Sequence, residues 1–410
     1  MLVYTKIRKN KSVRRSYFVK YFKKSGGITV KGTQERQGGL VKYTEEELVA
    51  VARRENNEKR KYLVVNRLQG KHVPVSPQKA LRLFGCLADL LLCGYTGEKL
   101  LLIGFAETAT AIGAAVAEKL GALYIQTTRE QMEGVEYFYF SEQHSHATEQ
   151  KLVKDDLDLA VKTVDRIIFI EDEITTGNTI KNIIELLRKA YPDRLEFSAA
   201  SLLNGMTAPY QKEYEENGIR LHWLLKTCHE TFGERVAGFR GDGIYHGCEC
   251  SVPSVIPEEY RISGCQNARR LTDGKKYGSA CRRMGREALD RLSPVSGERI
   301  LVIGTEEFMY PALVLACMLE EKGVQVRCHS TTRSPILVSK EEAYPLHERY
   351  ELRSLYDSHR TTFLYDLSAY DRVCIVTDAG EEKKEGLYSL LHALVSCGND
   401  RIYVIRWCQA

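Results

Sequence analysis

Two adjacent carboxylates before a Thr- and Gly-rich turn are the strongest chemical signal in the sequence. Glu171 and Asp172 end the apolar run Ile167–Ile170, and the turn residues before the next helical segment are Thr175, Thr176, Gly177, Asn178 and Thr179. Exposed amides at a helix N-terminus suit a phosphate dianion, and carboxylates at a strand end can accept hydrogen bonds from ribose hydroxyls. The pattern predicts a sugar-phosphate site; an acidic strand end with an ordinary helix cap is the alternative.

Two further polar segments carry groups that can do acid–base or ligand chemistry. His144 and His146 stand two residues apart among acidic residues in the segment 141–149. These imidazoles could serve as general acids, anion ligands or metal ligands, and a polar loop with satisfied imidazoles is the alternative. Lys71 and His72 precede a long helical segment, where a plain turn is the alternative to a functional loop.

The elements that must position these groups alternate in an α/β pattern. Thr44 and Glu47 form a capping-box sequence that predicts a helix from about residue 45, and Ser76 with Pro77 starts a long apolar helix. Apolar runs typical of strands covered on both faces alternate with helical segments from residue 99 onward. We expect a mainly parallel sheet and four segments: a basic arm over 1–40, an α/β domain over 41–230, an irregular linker over 231–275 and a second α/β domain over 276–410.

The two α/β segments resemble each other, which indicates an internal duplication. The matched residues are Gly104 with Gly304, Glu107 with Glu307, Thr127-Thr128-Arg129 with Thr331-Thr332-Arg333, and Asp165-Arg166 with Asp371-Arg372. A general likeness of strand–helix units is the alternative. The counterpart of the Thr/Gly turn keeps Asp378 but adds Glu381 and Glu382, which would repel phosphate. The second domain is therefore predicted to be degenerate.

The run from Ile167 to Thr179 resembles the ribose-phosphate signature of type I phosphoribosyltransferases, which use phosphoribosyl pyrophosphate (PRPP). In addition ETAT, EQHSHAT and GKHVPV, with GTEEFMYPA and Thr332-Arg333-Ser334-Pro335, look like the family in which a PRTase_2 domain precedes a TRSP domain. That family is a divergent orotate-phosphoribosyltransferase-like branch encoded in bacterial tellurite-resistance and stress gene clusters. The resemblance covers about residues 40–400. It implies a Rossmannoid parallel sheet of the type I phosphoribosyltransferase kind, followed by a related, degenerate domain.

The resemblance implies a role for each matching residue. Glu171 and Asp172 would orient the ribose, stabilise the positive charge that develops on it, and hold Mg²⁺ through ribose or water. The 5-phosphate would bind to the turn from Thr175 to Thr179. His144 and His146 would lie on a mobile catalytic loop.

The resemblance also places a pyrophosphate loop after Gly104. Its candidate ligands are Ala106, Glu107, Thr108 and Arg129. Two residues depart from the family pattern. Glu107 stands where Lys or Arg is common, and Glu173 stands where the family usually has an apolar residue.

The second domain keeps polar residues at probable strand ends: Glu306, Glu307, Arg333 and Ser334. We expect them either to face the cleft of the first domain or to form a separate acceptor or anion pocket. A purely structural partner domain is the alternative, because a shared fold does not by itself confer a site.

Composition narrows the class of protein. Hydrophobic residues make up 43% and charged residues 28%, which is typical of a soluble globular protein, and no apolar stretch is long enough for a membrane span. Most of the 12 cysteines lie in apolar segments, which favours reduced thiols in a cytoplasmic protein. A zinc cluster at His246, Cys248, Cys250 and Cys265 is the less favoured interpretation, because a C-x-C pair lacks the usual spacing.

The positive net charge belongs to the start of the chain. Residues 1–61 carry 17 Lys or Arg and 6 Asp or Glu, whereas the remaining residues have a small acidic excess. A basic arm of this kind could bind RNA or an acidic partner, and a solvated basic element is the alternative.

The resemblance implies an enzyme that takes PRPP and Mg²⁺ and transfers the phosphoribosyl group to a nitrogenous base or related acceptor, in the synthesis or salvage of a nucleotide-like metabolite. A non-catalytic protein that binds PRPP or a nucleotide and regulates RNA or a partner is the main alternative, and a scaffold is a third. A homodimer is possible, because enzymes of this family often pair subunits.

Overall fold

The structure, a computed structural model, describes residues 42–55, 60–140, 150–192 and 195–409. Helices lie at α1 Glu45–Leu48, α2 Pro77–Gly94, α3 Thr110–Leu120, α4 Lys154–Ala160, α5 Asn178–Ala190, α6 Ala208–Glu216, α7 Phe232–Ala237, α8 Gly274–Leu292, α9 Tyr310–Glu321 and α10 Lys384–Ser396. Within these described ranges, none of the helices combines the length and apolar character needed to cross a bilayer.

The strands of the described residues are β1 Val49–Arg53, β2 Tyr62–Asn66, β3 Leu100–Gly104, β4 Leu123–Gln126, β5 Tyr137–Phe140, β6 Gln150–Val153, β7 Arg166–Ile174, β8 Glu196–Asn204, β9 Arg220–Lys226, β10 Ile244–His246, β11 Glu258–Ser263, β12 Thr272–Asp273, β13 Arg299–Gly304, β14 Gln325–Ser330, β15 Glu348–Arg353, β16 Thr361–Tyr365, β17 Arg372–Thr377 and β18 Ile402–Cys408.

The first large sheet has the strand order β12-β4-β3-β7-β8-β9, and only the pairing of β12 with β4 is antiparallel. The runs Leu101–Ile103 and Ile167–Ile170 are fully buried, as expected for central strands covered on both faces. The connections run in opposite directions from β3, to β4 on one side and to β7 on the other. In sheets of this kind ligands bind outside the carboxyl ends of the strands at such a point.

The second large sheet repeats this arrangement. Its order is β14-β13-β17-β18-β11 and every pairing is parallel, so β14, β13, β17 and β18 occupy the places of β4, β3, β7 and β8. Helix α9 follows β13 just as α3 follows β3. The predicted α/β class with a second related domain is therefore confirmed.

The two sheets share one hydrophobic core. Helix α3 packs against α8 and α9, and α2 packs against α9. Since α2 and α8 precede equivalent strands, these contacts relate the two halves by an approximate two-fold. The rings of Tyr124 and Tyr277 stack across the contact at 6.4 Å. Residues 42–409 accordingly fold as one compact unit.

Each half also contributes a backbone pairing to the edge of the other half's sheet. Strand β12, just before α8, pairs antiparallel with β4 of the first sheet. Val75, just before α2, exchanges two backbone hydrogen bonds of 2.8 and 3.0 Å with Cys328 in β14 of the second sheet. The exchange is reciprocal, so separating the halves would leave backbone groups on both sheets without partners.

A small layer covers the carboxyl edge of the first sheet. Strands β1 and β2 form an antiparallel pair, and β1 continues into a backbone pairing with the second-domain segment 335–337. The amide of Glu55 donates to the carbonyl of Pro335 at 3.0 Å, and the amide of Leu337 donates to the carbonyl of Arg53 at 3.0 Å. Ala50, Ala52 and Val65 bury their side chains with Ile336, Val338 and Tyr365. The covering layer thus contains residues from both halves.

The helix predicted from residue 45 is much shorter than its sequence pattern suggested. The capping box exists, since the amide of Glu47 lies 3.3 Å from Thr44 Oγ1 and the amide of Thr44 lies 2.8 Å from Glu47 Oε2. The helix nevertheless ends at Leu48, and Val49–Arg53 forms a strand. Pairing with β2 and with the second domain outweighs the helical signal of the cap.

The segment 231–275, expected to be an irregular linker, contributes structure to three sheets. It contains α7, and its strands β10, β11 and β12 join β15, β18 and β4 respectively. These pairings are long-range, so short-range periodicity does not reveal them. The basic arm over 1–40 lies outside the described residues.

The contact between α3 and α8 predicts a steric requirement for glycine. A Cβ added to Gly274 would lie 2.6 Å from the carbonyl carbon and oxygen of Ala117, which are backbone atoms that cannot rotate away. We expect Gly274→Ala to lower the free energy of unfolding by about 1–3 kcal/mol, measured by denaturant titration. Gly238→Ala is the matched control, because nothing lies within 4 Å of its added Cβ. Equal stability of the two variants would contradict this packing.

Candidate active site

The predicted acid pair lies at the carboxyl end of β7, next to the loop that follows β3. The hydroxyl of Thr108 donates a 2.8 Å hydrogen bond to Asp172 Oδ1. Burial, together with the charge of Glu173, raises the pKa of Asp172 to about 6, although the hydrogen bond from the Thr108 hydroxyl opposes this shift. Glu171 and Asp172 are partly buried and line the same cleft. Two loops that are far apart in sequence therefore meet at one carboxylate.

The turn after β7 has the geometry of an anion-binding helix start. Gly177 has a φ of +71°, and its carbonyl accepts a 2.6 Å hydrogen bond from the buried Tyr214 hydroxyl. A Cβ at Gly177 would lie 2.2 Å from that hydroxyl oxygen, so only glycine fits. No described residue accepts a hydrogen bond from the amides of Thr176 or Gly177. These amides precede the 13-residue helix α5, whose N-terminal end carries a partial positive charge.

These groups open into a cleft of about 680 Å³. It is lined by Arg54, Arg60–Val64, His72, Thr108, Glu171–Ile180, Gly233 and Ser334. This cleft is therefore lined by all residues predicted for the 5-phosphate, by both acids and by Thr108. The other residues predicted for pyrophosphate, Ala106, Glu107 and Arg129, do not line it.

Glu173, the residue that departs from the family pattern, has partners that the sequence did not indicate. Arg60 Nη2 lies 2.5 Å from Glu173 Oε2, and His229 Nε2 lies 3.3 Å from Oε1. Burial lowers the pKa of His229, although Glu173 opposes that shift. The Tyr62 hydroxyl lies 3.0 Å from His229 Nδ1. Arg60 and Tyr62 come from the covering layer and His229 from the loop after β9, so no local motif could have predicted this group.

Glu107 does not present a negative charge to the cleft. Its carboxylate, 7% exposed, lies between the ammonium of Lys71 and Arg333 Nε, the latter at 2.7 Å. Burial alone would raise the pKa of Glu107, but the charges of Lys71 and Arg333 outweigh it and lower the pKa to about 2. Burial in turn lowers the pKa of Lys71, a shift that Glu107 opposes. The guanidinium of Arg333 keeps its charge, so the buried carboxylate remains paired.

The backbone amides around Glu107 differ in whether they have a hydrogen-bond acceptor. The amide of Ala106 donates to Thr127 Oγ1 at 2.8 Å, whereas no described residue accepts a hydrogen bond from the amides of Glu107 and Thr108. The carbonyl of Thr108 accepts a 2.6 Å hydrogen bond from Gln69 Nε2. The loop is thus fixed by side chains on both sides and keeps two amides for another acceptor.

Three of the four second-domain candidates are held in ion pairs. Glu307 accepts hydrogen bonds from the Thr128 hydroxyl at 2.8 Å and the Arg129 amide at 2.9 Å, and it pairs with Arg269 Nε at 3.1 Å. Glu306 pairs with Arg360 Nη1 at 2.8 Å. Together with Arg333 they form a buried network between the halves rather than an open pocket. Ser334 is the exception, because it lines the cleft of the first domain.

The second half has no open counterpart of the acid pair. Asp378 Oδ2 pairs with Arg269 Nη1 at 2.6 Å, and Asp378 Oδ1 accepts a 2.7 Å hydrogen bond from the Tyr356 hydroxyl. Protein groups therefore occupy the carboxylate that the duplication retained.

The remaining predicted residues concern histidines and metals. His144 and His146 lie outside the described residues. Within the ranges that the structure covers, no three His, Cys, Asp or Glu side chains converge as metal ligands. The zinc cluster therefore finds no support: His246 Nε2 lies 2.6 Å from Glu348 Oε1, and the sulfurs of Cys248 and Cys250 are 3.5 Å apart.

Two family models match the chain. A model described as "Phosphoribosyl transferase" (PRTase_2) matches residues 48–229, and one described as "TRSP domain C terminus to PRTase_2" matches residues 270–394. No curated protein matches the sequence.

Several solved structures are similar to part of the chain. Adenine phosphoribosyltransferase from Rhodothermus marinus is 15% identical, with a TM-score of 0.33, over 44% of this chain and 96% of its own. The enzyme from Giardia lamblia is 15% identical, with a TM-score of 0.33, over 45% and 96%. Hypoxanthine phosphoribosyltransferase from Staphylococcus aureus is 16% identical, with a TM-score of 0.24, over 39% and 78%.

The pairing of Glu107 predicts a large stability effect far from the surface. In Glu107→Gln the buried cations Lys71 and Arg333 lose their counter-charge, so we expect the free energy of unfolding to fall by about 3–5 kcal/mol in denaturant titrations. Glu287→Gln breaks the 2.6 Å pair with Arg291 on the exposed side of α8 and should cost under about 0.5 kcal/mol. A loss at position 107 no larger than that of the control would contradict the buried network.

Proposed function

The chain belongs to the family in which a phosphoribosyl transferase domain of the PRTase_2 type precedes a TRSP domain, and on that premise we propose that it binds PRPP at the end of β7 and transfers the phosphoribosyl group to a nitrogenous acceptor. One observation carries the proposal. The acid pair, the Thr108 hydroxyl and the amides of Thr176 and Gly177, which have no acceptor in the described part of the chain, open into one cleft.

The 5-phosphate of PRPP would bind at the turn before α5. The amides of Thr176 and Gly177 and the start of the helix offer donors to a dianion, and the neighbouring threonine hydroxyls add more. Gly177 lets the backbone approach the phosphate closely, since its φ is positive and it has no Cβ.

The ribose and the pyrophosphate would bind beside the turn. Glu171 and Asp172 can accept hydrogen bonds from the two ribose hydroxyls, each contributing about 1.5–3 kcal/mol because the acceptor is charged. The pyrophosphate would lie beside the loop after β3, where Thr108 lines the cleft and its amide has no acceptor among the described residues. The carboxylate of Glu107 is paired away from the cleft, so its negative charge does not oppose binding.

The donor set also fits Mg²⁺. Glu171 and Asp172 supply carboxylate oxygens, and Mg²⁺ in phosphate sites is held by one or two carboxylates together with substrate oxygens and water. When bound with PRPP, Mg²⁺ would neutralise part of the charge of the pyrophosphate. Both carboxylates line the same cleft as the turn proposed for the 5-phosphate, which supports this assignment.

Transfer would replace one bond at C1 of the ribose with another. The C1–oxygen bond to pyrophosphate breaks and its electron pair leaves with pyrophosphate, while a nitrogen lone pair of the acceptor forms the new C1–N bond. The proton lost by the acceptor nitrogen passes to pyrophosphate or water. The carboxylates of Glu171 and Asp172 would stabilise the positive charge that develops on the ribose.

A regulatory protein that binds PRPP without turnover is the other interpretation of the sequence. Besides the lack of an obvious Lys-rich catalytic loop in the sequence, this interpretation is favoured by a glutamate in the predicted pyrophosphate loop, where the family commonly has a cation. The buried pairing of Glu107 with Lys71 and Arg333 removes that argument, since the carboxylate does not face the cleft. We therefore retain the enzyme as the proposed function.

Ligand-induced stabilisation tests the proposed binding site. At a PRPP concentration 100 times Kd with excess Mg²⁺, we expect the melting temperature to rise by about 3 °C or more, because a ligand that binds only the folded state stabilises it. The double variant Glu171→Gln with Asp172→Asn should abolish the rise. Differential scanning fluorimetry measures both.

Turnover is measured as pyrophosphate release from PRPP in the presence of a panel of nitrogenous bases. We expect release in the wild type and none in the double variant. Glu185→Gln, on the exposed side of α5, is the matched control and should behave as the wild type. A melting-temperature rise that survives in the double variant would disprove the assigned site, and binding without release would favour the regulatory protein.

A further inference from the structure

The second domain supplies part of the wall of the first domain's cleft. The segment 335–337 is tied to β1 by backbone hydrogen bonds, and Ser334, immediately before it, lines the cleft. Arg333 is anchored on Glu107, the residue before Thr108 in the pyrophosphate loop. Ser334 is therefore held at the cleft by contacts of the residues before and after it.

His72 lies in the same wall and lacks a protein partner. Its side chain is 2% exposed, and neither ring nitrogen has a hydrogen-bond partner among the described residues. Burial and the charge of Lys71 lower the pKa of His72 to about 3, so the ring is neutral and offers one N–H donor and one acceptor nitrogen. A buried polar group left without a partner costs about 1–3 kcal/mol.

The loop that carries His72 is fixed on both sides. Gln69 binds the carbonyl of Thr108 at 2.6 Å, and the ammonium of Lys71 donates to the carbonyls of Glu306 and Thr331 at 3.1 and 2.9 Å. The imidazole is therefore placed by contacts to both domains. Such fixed groups, with no protein partner and in a cleft wall, are typical of a ligand-binding position.

His72 and Ser334 are separate from the groups that would hold the sugar phosphate. Those groups come from β7, the turn before α5 and the loop after β3, whereas His72 follows β2 and Ser334 belongs to the second domain. A ligand that fills the cleft would bind its sugar phosphate at β7, the turn before α5 and the loop after β3. Its remaining part would then contact His72 and Ser334.

We propose that His72 and Ser334 form a domain-spanning wall that binds the acceptor, and that the acceptor is a planar nitrogen heterocycle whose edge carries both a hydrogen-bond donor and a hydrogen-bond acceptor. This inference rests on the proposed function, because it requires the sugar phosphate to bind at the acid pair and the turn. It gives the second domain a role in selecting the acceptor. The neutral imidazole satisfies either kind of edge group, and the Ser334 hydroxyl can both donate and accept.

The test compares two kinds of probe that share the sugar phosphate, one without a base and one with a base. Ribose 5-phosphate is one probe, and the 5′-monophosphates of adenosine, inosine, uridine and orotidine are the others, each titrated by calorimetry. We expect at least one monophosphate to bind the wild type about tenfold more tightly than ribose 5-phosphate. His72→Ala and Ser334→Ala should each reduce that ratio by about three- to tenfold, while the Kd of ribose 5-phosphate stays within twofold.

The controls separate a binding role from a structural one. His222→Ala removes a partly buried imidazole that is hydrogen-bonded to Tyr95 outside the cleft, so the ratio should not change. His72→Gln keeps a donor and an acceptor and should recover part of the ratio. If His72→Ala fails to fold, Ser334→Leu is the substitute variant, because its larger side chain narrows the cleft. It should abolish the preference for monophosphates and leave the Kd of ribose 5-phosphate unchanged.

Three results would overturn the inference. They are an equal loss of both kinds of probe, an unchanged ratio in the His72 and Ser334 variants, and a wild type in which no monophosphate binds more tightly than ribose 5-phosphate. Failure of ribose 5-phosphate and PRPP to bind the wild type at all is a different result. It would overturn the proposed function, and the inference with it.

Discussion

A buried ion pair network centred on Glu107 is the constraint on which the site depends. The carboxylate is held between Lys71 from the first domain and Arg333 from the second, so the shape of the loop after β3 depends on both halves. Burying three charges together is tolerated only when each is paired. Among the described residues the amides of Glu107 and Thr108 have no acceptor, and Thr108 lines the cleft. The ion pairs that stabilise the loop therefore also fix the position of Thr108 at the cleft.

The duplication explains why this network has two centres. Glu307, the counterpart of Glu107, is held by Arg269, Thr128 and the amide of Arg129, and the reciprocal edge strands repeat the same relation in the backbone. Two domains with equivalent strand order pack here within one chain. They differ at the phosphate turn: in the second half Asp378 binds Arg269 and Tyr356. That half braces the shared interface but has no open acid pair.

Local sequence predicted the parts of the site that are local in structure. The acids, the turn and helix α5 follow one another along the chain, so their strand, glycine and helix signals could be recognised together. Arg60 and Tyr62 reach the cleft from another element, and no spacing rule connects them to the acid pair. The same reason accounts for the fold. Central strands were evident from apolar runs, whereas β10, β11 and β12 form through distant pairing partners.

Fusion of the two copies lets equivalent positions take different roles. By the alignment of the repeat, Ser334 follows Arg333 as Glu130 follows Arg129. Glu130 reaches into the second half and pairs with Arg360 at 2.5 Å, and Arg360 in turn pairs with Glu306. The charged pair fills space on that side, while the small Ser334 leaves space in the first cleft. In a symmetric homodimer one residue would have to serve at both places, so this asymmetry requires that both halves be encoded in one chain.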